Sequence, residues 1–322
     1  MFRALPLCPT ALSPDGTPGW NGSTWSHPVS ATYRGRMSLK DDVHDFLESR
    51  RARITPDMVG MPVGGGLRRV PGLRREEVAM LAGVSVDYYN RFERGNLAGA
   101  SEAVLDSLAR ALRLDDAERQ HLFDLARAAN EGPIPRRRRP ATKLRSGVQQ
   151  LLDGMTGIPA FVRNGRMDVL AMNDLARELY HPGGDAPEPT NYARYLFLDP
   201  TAHDATADWD GMAADTVAIL RQESGRVPHD DDLAALIAEL SAASAEFRRM
   251  WASHEVRFHR NGVKHFTHPA IGQFDLSFEA MELPGDEGLT LIAYSAEKES
   301  RSYDALALLS TVVATTRQPA RP

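Results

Sequence analysis

The chain has one cysteine, Cys8, among 322 residues, which excludes an intramolecular disulfide. No apolar run approaches the roughly 18 residues needed to cross a bilayer. The N-terminus lacks a basic region followed by an apolar core. Neither a membrane partner nor a secretory signal is therefore read, and a cytoplasmic location is the default. No strained Gly-x-Ser-x-Gly turn occurs. The glycines Gly64, Gly65 and Gly66 have no preceding strand and no following Lys-Ser/Thr, so they are no phosphate cradle. His254, His259, His265 and His268 fall close together, but His254 and His259 stand one residue too far apart for zinc-protease spacing and no cysteine is near. These absences argue against an enzyme, a metal site and a bound cofactor.

What is present is the composition of an ordinary globular protein, at a length that fits about two domains. The net charge of -5 looks wrong for a nucleic-acid partner until it is divided. From Met37 to Gly147 there are about 20 Lys and Arg against about 16 Asp and Glu; from Val148 onward about 15 against about 26. A mildly basic half is joined to an acidic one, and DNA affinity depends on the local positive charge that faces phosphate.

Residues 1–36 are rich in Pro, Gly, Ser and Thr and read as a disordered leader. Met37 is read as the natural start, the alternative being a genuine disordered tail. Residues 37–131 carry helical periodicity: Val43, Phe46 and Leu47 first, then helices at Arg74–Ala82, Val86–Arg94, Ser101–Leu112 and Asp116–Asn130. Asp115 and Glu118 have capping-box spacing. Residues 132–146 hold prolines on both sides of Arg136, Arg137, Arg138 and Arg139 and read as a basic linker. Residues 147–322 change character. Ala160–Arg163 and Met167–Met172 flank the hairpin signal Asn164-Gly165. Helices follow at Trp209–Gln222, Leu233–Leu240 and Ala245–His254. Strands return at Val263–Thr267, Phe274–Leu283 and Leu289–Ala296, and a helix closes at Tyr303–Ala314. Strands at both ends with helices between predict one mixed sheet with helices on one side. The fold class is an all-α helix-turn-helix domain followed by an α+β domain.

The segment from Arg75 to Gly95 carries the functional signal. A helix-turn-helix needs a small residue where its helices cross, and Ala79 stands there. It needs a residue that takes φ > 0 at the turn, and Gly83 stands there. Val78, Ala82, Val84, Tyr89 and Phe92 are spaced to pack between the helices. Ser85 is placed to cap the second helix and Gly95 to stop it. Tyr89 and Phe92 are predicted inward. Ser85, Val86, Asp87, Asn90 and Arg91 are predicted outward, toward a DNA major groove, where Asn reads adenine and Arg reads guanine by paired hydrogen bonds. Arg75 is predicted to meet phosphate. A helical hairpin without a DNA role is the alternative; two independent glycine positions and the small crossing residue weigh against it.

This segment resembles the phage-repressor-like, or Xre-type, helix-turn-helix family, with Arg75 where that family often has Gln. The stretches Val70–Ala79, Asn191–Pro200, Ser244–Phe247, Trp251–Val256 and His268–Gly272 are together similar to the MmyB-like transcription regulators, and the resemblance covers the chain from about Val43 onward. It implies a PAS-like C-terminal domain that binds a small molecule, with fatty acids as the ligand class, and it implies homodimers. The family commonly has Trp before the residue that stands here as Asn173; here it is Met172.

Ligand candidates in the second half are Asn173, Arg194, Trp251, His254 and Arg257. Asn173 fits a helix cap or a pocket. Arg194 lies in an otherwise apolar helix and needs an anion, either a ligand carboxylate or an internal acid. Trp251 and His254 lie three apart on one helical face, with Arg257 at the next step; Trp251 also fits plain core. The leading function is a regulator of double-stranded DNA that responds to a fatty-acid-like ligand as a homodimer. The alternatives are a constitutive DNA-binding regulator whose second domain only dimerises or recruits a partner protein, and an enzymatic second domain.

Overall fold

Ser38 starts the first helix. Its hydroxyl accepts the backbone N–H of Asp41 at 3.3 Å, and the Asp41 carboxylate accepts that of Ser38 at 3.1 Å, so two end donors are satisfied reciprocally. The computed structural model describes residues 38–61, 70, 72–130, 144–180, 191–257 and 259–316. The leader, Met37, the Gly64–Gly66 loop and the arginines of the basic linker lie outside the described residues. Five helices build the N-terminal bundle: α1 (Leu39–Arg53), α2 (Arg75–Ala82), α3 (Val86–Glu93), α4 (Glu102–Ala111) and α5 (Asp116–Asn130). The predicted Asp115–Glu118 capping box is present, with bonds of 2.8 and 3.1 Å. Leu105, Leu108 and Ala109 on α4 and Leu122, Leu125 and Ala126 on α5 recur at helical spacing and meet Val43, Phe46 and Leu47 of α1 in one core. Phe46 and Phe92 are fully buried, each contributing about 1.5–3 kcal/mol of apolar transfer.

The second half runs α6 (Ser146–Gly154), β1 (Ala160–Asn164), β2 (Val169–Met172), α7 (Asp174–Tyr180), α8 (Tyr192–Leu198), α9 (Ala202–Ala205), α10 (Trp209–Arg226), α11 (Asp231–Ala243), α12 (Ala245–Ala252), β3 (Asn261–His268), β4 (Gly272–Glu282), β5 (Leu289–Ser295) and α13 (Arg301–Thr316). The sheet order is β2-β1-β5-β4-β3. Every neighbouring pair is antiparallel, which corrects the expected mixed sheet. Hairpins join β1 to β2, β3 to β4 and β4 to β5, and a hairpin forces antiparallel pairing. The one long crossover, from β2 to β3, lands on the opposite edge and makes no parallel neighbour. The turn after β1 is also longer than an Asn-Gly pair. The Asn164 side-chain oxygen accepts the N–H groups of Arg166 and Asp168, both at 3.0 Å, and Met167 adopts φ +67°, so β2 begins at Val169 rather than Met167.

One sheet face carries Phe266, Phe274, Leu276, Phe278 and Ile292 against Leu175 and Leu179 of α7 and Leu306 and Leu309 of α13. The reverse face of β3 and β4 is exposed, as the alternation along both strands requires. Helix α6 sets Val148 beneath Val162 and Leu289, so the helices are not confined to one side. Helices α8, α10, α11 and α12 share a further core around Leu196, Leu220, Leu236 and Phe247. The described residues fall in one compact unit, and Val256, which follows α12, packs into the core of the N-terminal bundle.

Candidate functional site

The helix-turn-helix geometry follows from a few local constraints. Ala79 is 1% exposed where α2 crosses its neighbours. Gly83 takes φ +67° and turns the chain. The Ser85 hydroxyl accepts the N–H of Tyr88 at 3.1 Å and starts α3. Gly95 takes φ +86°, and a Cβ there would lie 2.3 Å from the Lys40 carbonyl oxygen, so α3 stops against α1. Tyr89 and Phe92 are buried, Ser85, Val86 and Asp87 are exposed, and Asn90 and Arg91 are half-buried. Two cations are less free than the sequence implied. The Arg91 guanidinium donates to the Ala98 carbonyl and lies 5.0 Å from the Tyr88 ring. Arg75 Nε lies 3.0 Å from Glu93 Oε2, with half of its side chain in solvent. The sequence reading missed Glu93. Its carboxylate, 1% exposed, accepts from Arg51 Nε at 3.1 Å and Nη2 at 2.6 Å as well as from Arg75. Burial pushes this carboxyl up, but the hydrogen bonds and charges of Arg51 and Arg75 outweigh it and hold the group below the usual range. That network fixes α3 against α1 and α2.

A cavity of about 40 Å³ lies in the C-terminal half, room for a few waters. β1 gives it Phe161 and Arg163, β5 gives Ile292 and Tyr294, and α10 gives Met212, Asp215, Thr216 and Ile219. Met167, Met172, Tyr180, Tyr192, His259 and Lys264 close it. The register of β1 against β2 shifts between Val162 and Arg163, an irregularity of the kind that re-aims a side chain. Arg163 is 6% exposed and its guanidinium donates to the Asn164 carbonyl at 3.2 Å. Burial lowers its pKa to about 10, so it remains a cation at neutral pH. Lys264 is ion-paired with Asp215. Burial first, then Arg163, lowers His259 to about 4, which leaves it neutral. The hydroxyls of Tyr180 and Tyr294 hydrogen-bond to each other. A helix-turn-helix bundle thus stands ahead of an antiparallel sheet with a small, cation-bearing, mostly apolar cavity.

Residues 144–309, more than half of the chain, match the model of the MmyB-like transcription regulator ligand binding domain. The chain belongs to the MmyB-like transcription regulators. Residues 46–122 match a helix-turn-helix domain model, and no curated protein matches the chain. This MmyB-like regulator is a DNA-binding transcription regulator with a small-molecule ligand-binding domain. Among the described residues no helix is long and apolar enough to cross a membrane, and no group of three or more His, Cys, Asp or Glu is placed to hold a metal ion.

In this MmyB-like regulator the residues expected to bind ligand lie elsewhere than the cavity. Asn173 caps α7: its side-chain oxygen accepts the N–H of Ala176 at 2.9 Å and of Ala160 at 3.0 Å, and its amide donates to the carbonyls of Met155 and Ile158. Its neighbour Met172 does line the cavity. Arg194 stands on the outer face of α8, half exposed, paired with Glu239 by bonds of 2.8 to 3.1 Å. Arg257 is exposed. Trp251 and His254 lie at the end of α12, which meets the N-terminal bundle; Arg50 of α1 donates to the His254 carbonyl, and Arg221 of α10 lies 3.9 Å from the centre of the Trp251 ring. The cations that do line the cavity, Arg163 and Lys264, were not singled out. The available signal was the period of two in Ala160-Phe161-Val162-Arg163, which puts Phe161 and Arg163 on one face of a strand.

Proposed function

We propose that the ligand of this regulator is a fatty acid, held in the cavity between β1, β5 and α10 with its carboxylate on Arg163. The charge balance of the cavity supports this reading. Arg163 and Lys264 face one carboxylate, Asp215, which is already paired with Lys264. The carboxylate of Glu223, which acts on Arg163 from outside the lining, is bound by Arg226 at 2.8 and 2.9 Å. Glu223 therefore compensates Arg163 only in part, and a monoanion in the cavity completes the balance. A planar guanidinium suits a carboxylate because it pairs both oxygens. The tail needs more room than about 40 Å³, and three unbranched side chains, Met167, Met172 and Met212, form walls that swing aside at small cost. Each methylene then buried contributes about 0.8 kcal/mol.

On the same reading, α3 enters the major groove with Ser85, Val86, Asp87 and Asn90 toward the bases. Arg75 and Arg91 reach DNA only by leaving Glu93 and Ala98. The protein acts as a homodimer, with residues 37–131 reading DNA, 132–146 linking and 147–322 sensing.

The test is Arg163→Met in the full chain, with melting temperatures measured with and without medium- and long-chain fatty acids. At a hundredfold excess over Kd a ligand stabilises by about 2.7 kcal/mol, or about 5–10 °C at 2–4 °C per kcal/mol. Wild type gains this and Arg163→Met loses most of it. Without ligand the variant melts at or above wild type, because methionine replaces a buried and poorly compensated charge. No stabilisation by any acid, with no acid extracted from the purified protein, leaves the second domain as a dimerisation module.

A further inference from the structure

Helix α12 ends at Ala252, and its last carbonyls have no partner within the helix. Arginines supply one from two sides. Arg221 of α10 donates to the Trp251 carbonyl and lies over its ring. From α1, Arg50 donates to the His254 carbonyl and Arg53 to that of Ser253 at 3.3 Å. Arg53 also pairs with Glu255 at 2.5 Å, while Arg50 pairs with Glu118 of α5 at 2.7 Å. Arg50 and Arg221 are each 2% exposed. His254 holds the turn with φ +52°. The clamp thus joins α10, α12, α1 and α5, and cation against helix C-terminus is the favourable sense of the dipole. Beside it α10 and α5 approach so closely that a Cβ on Gly225 would lie 2.7 Å from His121 Cε1.

The same α10 lines the cavity. Met212, Asp215, Thr216 and Ile219 recur at helical spacing on one face, and Arg221 and Gly225 follow on the opposite face, one to two turns on. Asp215 and Arg221 are six residues apart, roughly 9 Å along the axis. Asp215 already occupies Lys264, in the manner of an internal substitute for a ligand anion.

We propose that α10 is the element that carries the state of the cavity to the DNA-binding bundle. An anion seated on Arg163 beside Lys264 weakens the hold of Lys264 on Asp215 and shifts α10, and the shift is read where Arg221 and Gly225 meet α12 and α5. The loosening of Asp215 by ligand rests on the acid-binding reading above; the coupling through α10 does not. Buried cations on carbonyl dipoles are poised between a docked arrangement and a solvated one, since desolvation nearly offsets the attraction. A small shift therefore changes the populations. The exposed face of α3 lies outside the clamp, so docking sets the orientation of the reading helices rather than covering them, and in a dimer orientation decides which half-site spacing fits.

The experiment is a double-mutant cycle in the full chain, read as affinity for an operator selected from random duplex DNA. Asp215→Asn breaks the internal pair without any ligand. Gly225→Val drives a wedge between α10 and α5, away from both the cavity and α3. Asp215→Asn is expected to change operator affinity at least about fivefold in the wild-type background and less than about twofold beside Gly225→Val. If the wedge prevents folding, Arg53→Ala with Glu255→Ala opens the exposed rim of the clamp and serves in its place. No effect of Asp215→Asn in wild type, or the same effect in both backgrounds, overturns the proposal. A fatty-acid titration of each variant separates the two readings: coupling in the cycle without stabilisation by any acid sinks the ligand assignment and leaves the coupling standing.

Discussion

Replacing Glu93 with alanine is expected to cost about 3–5 kcal/mol of folding stability, the range for removing one partner of a buried ion pair. The reason is what remains behind. Arg51 is nearly buried, and two of its three bonds to protein groups go to Glu93 and one to the Leu73 carbonyl. Without the carboxylate its charge keeps only the half-exposed Glu48, 3.7 Å away, as a counter-ion. Arg75 suffers less, because half of it reaches solvent. Chemical denaturation of the full chain measures the loss. Arg51→Met together with Glu93→Leu is expected to recover most of it, since the pair then vanishes along with its desolvation. A loss below about 1 kcal/mol for Glu93→Ala would mean that the network does not hold α3 in place.

Acidification is expected to destabilise the clamp. Burial, then Arg221, Arg50 and His254, lowers His121 to about 3. Burial, then Arg221, Arg50 and Arg53, does the same to His254, whose other charged neighbour is Asp45 at 3.8 Å. Histidines with depressed values contribute stability that is present above their ordinary pKa of about 6.5 and is lost progressively as pH falls toward 3. Asp42 opposes them. Burial raises it to about 6 against the lowering effect of Arg221, so its contribution grows as pH falls below 6. Asp45 is raised as well, chiefly by burial. The depressed histidines have the larger shifts, and the net sign is a stability that falls between pH 6.5 and 4. His121→Leu keeps an apolar group against Phe46 and Gly225 and removes one titration. Its unfolding free energy should depend less steeply on pH, by up to about 1.4 kcal/mol per pH unit within that window. An unchanged slope would show that His121 is not held neutral in the folded protein.

The DNA-reading half was legible because its code is local. Ser85, Gly83, Tyr89 and Phe92 each meet a requirement set within one turn of helix, Gly95 adds a left-handed stop that also clears Lys40 of α1, and the structure keeps all five in the expected places. The fold of the second half was legible as strands and hairpins for the same reason. Its site was not. Of the two anions open to Arg194, a ligand carboxylate or an internal acid, the structure supplies the acid, Glu239: Tyr192, Ala193 and Leu196 define the buried side of a seven-residue helix, and at 100° per residue Arg194 falls opposite them. Trp251 and His254 do not share a helical face, because α12 ends at Ala252 and His254 turns at φ +52°; Trp251 meets Arg221, and the partners of His254, Arg50 and Asp45, are some two hundred residues earlier. No local pattern shows that α12 ends against the first helix of the chain. Arg163 shows the reverse: its strand was read correctly, while the cavity it enters is assembled from β5, α10 and β3.

The measurement that tests the account most directly is operator affinity with and without ligand. Anisotropy of a labelled operator, at one fixed salt concentration, is titrated with the full chain in the absence and presence of a saturating long-chain fatty acid. The account predicts that the acid raises the melting temperature and changes operator affinity at least about fivefold, and that Arg163→Met abolishes both effects while binding the operator as the ligand-free wild type does. An acid that stabilises the protein while operator affinity stays the same would contradict the account, because the cavity would then bind without regulating.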